Sequence, residues 1–272
     1  MHILEKLDAI TAKNKSLVCV GLDTDPAKLP AHLRGRDDAV IAFNRAIIEA
    51  TADVVQSYKL NLAFYETLGR DAWHCIRATL DAIPSDVVTI GDAKRGDIGN
   101  TSTMYAKALF EDFTFDATTV APYMGFDSVE PFLRYEEKGI FLLALTSNKG
   151  SRDFQYLEIG GEALYRHVVR TALGWNTAGN LGFVVGATHP SELRDLRAMV
   201  GDAPLLIPGL GAQGGDTEAS VKAGVTAAGG RAVYNSSRGI IFAGDGEDFA
   251  DKAREAALLL RDEINAHRPS AA

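Results

Sequence analysis

One unit recurs along this chain: a short β-rich apolar run followed by a longer amphipathic stretch. The runs fall at residues 17–23, 54–61, 87–92, 117–121, 140–146, 181–187, 205–207 and 232–236. The amphipathic stretches fall at about 37–53, 65–83, 100–113, 127–137, 161–173, 189–200, 216–223 and 247–266, and they read as helices. Strand followed by helix, repeated, demands right-handed parallel crossovers. Eight such units closing on themselves make a (β/α)8 barrel, and 272 residues suit one. An open doubly wound sheet is the competing architecture. The count of eight and the lack of any low-complexity linker oppose it. The expectation is an α/β fold: one barrel domain over residues 1–272, with a short frayed tail from about 268.

Composition narrows the partners. Lys plus Arg total 28 and Asp plus Glu 36, a formal net charge of −8. Such a surface repels nucleic acid at long range, yet leaves room for a small anion held by local positive charge. The longest apolar run, Ile140 to Leu145, is far shorter than a membrane span. The first residues, Met1-His2-Ile3-Leu4-Glu5-Lys6, are charged where a signal peptide would be apolar. Cys19 and Cys75 cannot make a disulfide framework and read as reduced core thiols, so a cytoplasmic location is expected. The six histidines show no ligand spacing, and neither H-E-x-x-H nor C-x-x-C occurs. No metal and no cofactor are expected.

In a barrel, chemistry sits where strands end and βα loops begin. Strand one ends in Asp23, strand two in Lys59-Leu60-Asn61, and strand three in Asp92-Ala93-Lys94. Residues two apart on a strand share a face, so Asp92 and Lys94 are expected on one side with Lys59 beside them. Charges at buried strand ends are costly unless paired. An alternating cluster of lysines and carboxylates meets that condition. It would keep Lys94 cationic, a proton donor rather than an amine nucleophile. A purely structural ion-pair network is the plainer alternative.

Strand seven runs into Pro208-Gly209-Leu210-Gly211-Ala212-Gln213-Gly214-Gly215, and strand eight into Asn235-Ser236-Ser237-Arg238. The loops after barrel strands seven and eight commonly hold phosphate through backbone N–H groups, and Arg238 adds a fork of donors. The segment formally contains G-x-G-x-x-G. A dinucleotide site would also need an acidic residue at the end of the next strand, and Asn235-Ser236 stands there.

These residues together are specific. Asp92-Ala93-Lys94-Arg95-Gly96-Asp97-Ile98-Gly99-Asn100-Thr101 resembles the D-x-K-x-x-D-I-x-x-T pattern of the orotidine 5′-phosphate decarboxylase family. Lys59-x-Asn61, the Pro208-to-Gln213 segment and Arg238 fall in that family's order. The stretch from Ala121 to Ser128 resembles its longer, type 2 bacterial branch. After Ser147-Asn148 this chain has Lys149 where many members carry proline, which bears on the stiffness of that loop.

The resemblance implies conversion of orotidine 5′-monophosphate to UMP and carbon dioxide, the last step of de novo pyrimidine synthesis, without cofactor. It implies that Lys94 protonates C6, that Asp92 lies beside the departing carboxylate, and that Lys59 links the ribose to the charged network. Asp23 and Asn61 would stand near the ribose and Ser147 at the pyrimidine amide edge. Gln213 and Arg238 would grip the phosphate, with Pro208 heading their loop. Asp97 and Thr101 would reach the active site of a partner subunit, giving a homodimer with shared sites. The alternatives are a metal-dependent relative acting on a sugar phosphate, a Schiff-base aldolase using Lys94 or Lys59, and a non-catalytic phosphate-ligand sensor.

Overall fold

The computed structural model describes residues 1–210 and 216–269. Its strands are β1 (Val18–Gly21), β2 (Ser57–Asn61), β3 (Val88–Arg95), β4 (Ala117–Val120), β5 (Gly139–Leu145), β6 (Leu181–Val185), β7 (Leu205–Pro208) and β8 (Ala232–Ser236). All pair in parallel, and β1 meets both β2 and β8, so the sheet closes in chain order. Val18, Val20, Val233 and Phe183 have no exposed surface. Strands buried on both faces need helices outside and packed side chains inside, which only a barrel supplies here. The (β/α)8 expectation holds.

Helices Ala39–Thr51, Ala72–Leu80, Gly99–Lys107, Phe126–Leu133, Leu164–Leu173, Pro190–Val200, Thr217–Gly224 and Phe249–His267 follow the eight strands in turn. Several expected boundaries shift for local reasons. The stretch at 65–83 is not one helix. It splits into Leu62–Glu66, a 3-10 turn at Gly69–Asp71, and Ala72–Leu80, with Gly69 left-handed at φ 62°. Glycine alone takes that backbone freely. The expected helix at 161–173 starts later, after a small antiparallel hairpin of Glu158–Ile159 and Glu162–Ala163. Strand two begins at Ser57 rather than 54, and strand three runs on to Arg95 rather than stopping at 92.

The first residues, charged where a signal peptide would be apolar, form the helix Ile3–Asn14. His2 and Glu5 make a reciprocal capping box at its start. Its face of Ile3, Leu7 and Ile10 is buried. The Asn14 amide donates to the carbonyls of Ala52 and Val55, and Lys6 Nζ lies 2.7 Å from Asp116 just before β4. The helix therefore covers the end of the barrel at which strands begin. The other end stays open. At the tail, Arg268 N–H still donates to the Ile264 carbonyl, and residues 270–272 lie outside the described set. Among the described residues no helix is long and apolar enough to cross a membrane. Cys19 and Cys75 are buried and unbridged.

Candidate active site

At the open end, every one of the eight strands or the loop following it contributes to one cavity of about 400 Å³. That is a usual size for a small-molecule site. Asp23, Lys59, Asn61, Asp92 and Lys94 line it from the first three strands. Ser147 lines it after β5, Pro208 at the end of β7, and Arg238 after β8. Leu143, Val184 and Leu206 supply its apolar surface.

The charged side of the cavity is a chain of alternating signs. Lys59 Nζ lies 3.0 Å from Asp92 Oδ2 and 3.5 Å from Asp23 Oδ1. Lys94 Nζ lies 2.6 Å from Asp92 Oδ1. Asp23 Oδ2 accepts from Ser237 Oγ at 2.7 Å. That hydroxyl lies so close to β1 that a side chain at Gly21 would collide with it. Asn235 Nδ2 donates to the same Ser237 hydroxyl at 3.4 Å.

Burial decides the electrostatics. The side chains of Lys59 and Asp92 are 5% and 9% exposed, whereas Lys94 is 48% exposed. Burial by itself would push Lys59 down, but Asp92 and Asp23 outweigh it and hold the ammonium above its ordinary value. Burial by itself would push Asp92 up, but Lys59 and Lys94 outweigh it and hold the carboxylate below its ordinary range. Both groups are charged at neutral pH. Two lysines and two aspartates sum to zero, so the cluster adds no net charge to the barrel mouth. Beneath them the Cys19 thiol is pushed up to about 12, chiefly by burial, and stays protonated.

The Asp92–Lys94 contact was expected from flat strand alternation, and it is made differently. The β3–β4 register shifts between Gly91 and Arg95, and Lys94 sits in the left-handed region at φ 48°. A non-glycine residue pays for that backbone and persists there only when its surroundings impose it. Here Thr119 of β4 does so. Its Oγ1 accepts the Lys94 backbone N–H at 2.9 Å and donates to Asp92 Oδ1 at 2.8 Å.

On the opposite wall, Gln155 brackets the end of β5. Its Oε1 accepts from Thr146 N–H at 2.8 Å and its Nε2 donates to Thr146 Oγ1 at 2.8 Å. Thr146 Oγ1 donates onward to Asn148 Oδ1 at 2.6 Å. Ser147 lies between these two fixed neighbours. Asn61 lines the cavity while its Oδ1 caps the helix Leu62–Glu66 by accepting from Ala63 N–H. Arg238 is exposed at the start of the short helix Arg238–Ile241, and no carboxylate pairs with it among the described residues.

Two expected site residues are not in this cavity, and a third falls outside the described residues. Asp97 lies outside it, half-buried, with Oδ1 accepting from Ile98 N–H at 2.8 Å. Thr101 is exposed on Gly99–Lys107. Gln213 lies outside the described residues. Thr119 and Gln155 carry no sequence signal, and Asn235 and Ser237 enter the sequence reading only as the end of strand eight ahead of Arg238. A threonine inside a buried strand and a glutamine ten residues past a strand end carry no spacing signal. Among the described residues no group of three or more His, Cys, Asp or Glu could hold a metal ion.

A (β/α)8 barrel whose mouth gathers fixed charges around one small-molecule cavity has the form of a barrel enzyme's active site. The particular branch is given by comparison. Residues 16–253 match the model of the orotidine 5′-phosphate decarboxylase / HUMPS family, and the chain belongs to that family. It is 54% identical to the orotidine 5′-phosphate decarboxylase of Azoarcus sp. (strain BH72), over 98% of this chain and 100% of that one. It is 51% identical to that of Dechloromonas aromatica (strain RCB), with the same coverage. The structure of Leishmania donovani OMP decarboxylase superposes with a TM-score of 0.86 at 38% identity, covering 98% of each chain. Leishmania donovani UMP synthase gives 0.88 at 40%, over 98% of this chain and 56% of that one.

Proposed function

We propose that the cavity at the barrel mouth is where this chain decarboxylates orotidine 5′-monophosphate to UMP and carbon dioxide, in pyrimidine biosynthesis. The observation that carries this assignment is the Lys59–Asp92–Lys94 chain, with contacts of 3.0 and 2.6 Å inside the cavity. In the reaction the bond from C6 to the carboxylate breaks and its electron pair stays on C6. Negative charge thus moves from the carboxylate to the ring carbon. Asp92, held ionised, stands beside the carboxylate and disfavours charge there. Lys94, on the other side of Asp92 Oδ1, favours charge at C6 and delivers a proton to it. Preorganised charges of this kind cost no reorganisation during the reaction. Being half-exposed, Lys94 can then regain its proton from solvent.

Lys59 holds Asp92 from the buried side and faces the ribose together with Asp23 and Asn61. Ser147 reads the pyrimidine amide edge from the bracketed β5 loop. Arg238 takes the phosphate with Gln213. Phosphate is remote from C6, so its binding energy serves to order the site rather than to touch the reacting bond.

The assembly is a homodimer with shared sites, in the cytoplasm. Asp97 and Thr101 lie off their own cavity, and the surface around them is apolar. Ile98 is 55% exposed, Met104 62% and Tyr123 91%. Thr101, Met104 and Tyr105 share a helix face. A patch of this kind is normally covered by a partner. A second copy would cover it and bring Asp97 and Thr101 to the other cavity.

Loss of orotidine 5′-monophosphate absorbance on adding the protein with EDTA tests the activity; no loss would overturn it. Lys94→Ala should lower that rate by at least about 10³-fold, since proton transfer and fixed charge both fail. Turnover near the wild-type rate would remove Lys94 from the chemistry.

A further inference from the structure

A closed ring of interactions runs through β3 and β4. The Lys94 N–H donates to Thr119 Oγ1 at 2.9 Å, Thr119 Oγ1 donates to Asp92 Oδ1 at 2.8 Å, and Lys94 Nζ returns to the same Asp92 oxygen at 2.6 Å. Thr119 is 1% exposed, and its single hydroxyl proton and one lone pair are both used in the ring. Backbone and side-chain end of one lysine are thereby tied to one carboxylate oxygen. The ring closes where the β3–β4 register breaks and Lys94 takes φ 48°.

We propose that Thr119 is a positioning residue of the decarboxylation centre, holding Lys94 in its left-handed backbone and fixing the Asp92 carboxylate plane. This rests on the assignment of Asp92 and Lys94 as the reacting pair. Without the hydroxyl, the Lys94 N–H loses its partner and the left-handed backbone loses its tie. Asp92 Oδ2 is held by Lys59 at 3.0 Å, so that oxygen stays in place. Oδ1 is then held by Lys94 Nζ alone. When Lys94 leaves it to approach C6, Oδ1 has no donor left, and the carboxylate is free to turn about its Lys59 contact. With Thr119 present, Oδ1 keeps a donor throughout, and the lysine moves while the aspartate stays. Thr119 lines the cavity, but its hydroxyl is already committed to Lys94 and Asp92, so its effect falls on the chemical step rather than on binding.

Thr119→Val keeps the shape and removes the hydroxyl; Thr119→Ser keeps the hydroxyl and removes the methyl. On the full-length enzyme, Thr119→Val should lower kcat by about 10- to 100-fold, the usual consequence of a displacement of an ångström or less at the reacting groups. KM and the Kd for UMP should stay within about threefold. Thr119→Ser should restore kcat to within about threefold of wild type. Thr119→Ala serves as a second deletion that cannot overpack, and should match valine. Wild-type kcat in Thr119→Val, equal losses in the valine and serine variants, or a UMP affinity that falls in step with kcat would each overturn the proposal. A wild-type protein that fails to decarboxylate would instead overturn the assignment of the centre. The two failures are thus separate.

Discussion

Lys59 and Asp92 form an ion pair at 3.0 Å between two side chains that are each less than a tenth exposed. It is the buried half of the site, and Lys94, on the other Asp92 oxygen, is the accessible half. The two lysines therefore differ in what their removal does.

Lys59→Ala leaves Asp92 and Asp23 without their shared buried cation. Breaking a buried pair from one side costs about 3–5 kcal/mol. Lys94→Ala removes a half-exposed partner, and exposed pairs contribute about 1 kcal/mol or less. Urea unfolding of the two variants should differ by at least about 2 kcal/mol in this order. Equal stability would mean that the Lys59 pair is not buried in solution.

The pH dependence of the pair follows from the directions of its shifts. Asp92 is depressed, so its contribution is complete above its unfolded value of about 3.9 and is lost as pH falls through the lower folded one. Lys59 is raised, so its contribution is complete below about 10.4 and is lost as pH rises through the higher folded value. Between about pH 5 and 9 neither adds slope. Carbon NMR shifts of the Asp92 carboxyl and the Lys59 Cε in the wild-type protein should show no titration step across that window. A step there would show that one of the two titrates.

Arg238 is exposed at the barrel mouth and pairs with no carboxylate among the described residues. Removing its charged hydrogen bonds to phosphate should cost about 3 kcal/mol of transition-state binding, about 100-fold in kcat/KM. Steady-state kinetics of Arg238→Ala with orotidine 5′-monophosphate measure this. An unchanged kcat/KM would take Arg238 out of the phosphate site.

Asp97 and Lys94 act in one site from two chains in the proposed dimer. Mixing inactive Lys94→Ala with inactive Asp97→Ala protein should restore activity. Random exchange makes about half of the dimers mixed, each with one intact site, so about a quarter of wild-type activity returns. Verified exchange with no recovery would sink the shared site.

The barrel was legible because its signal is repetitive. Burial on both strand faces and helical periodicity between strands recur eight times, and errors of a few residues at 54–61 or 65–83 do not change the count. The strand-end rule then pointed to Asp23, Lys59, Asp92, Lys94 and Arg238, and the structure brings these to one cavity. The helix Ile3–Asn14 was missed although Ile3, Leu7 and Ile10 have helical spacing; only its docking on the barrel floor is announced by no local pattern.

What the sequence determined by itself was which residue types stand at the ends of eight buried strands, and hence the charge balance of the mouth. Local periodicity suffices for that. The tertiary structure decided how those residues meet. Lys94 reaches Asp92 through a register shift and a left-handed backbone, not through flat alternation. Thr119 ties that backbone down from the neighbouring strand. Pairing between strands sets these contacts over separations of 25 and 27 residues. Such contacts arise only when the sheet has closed.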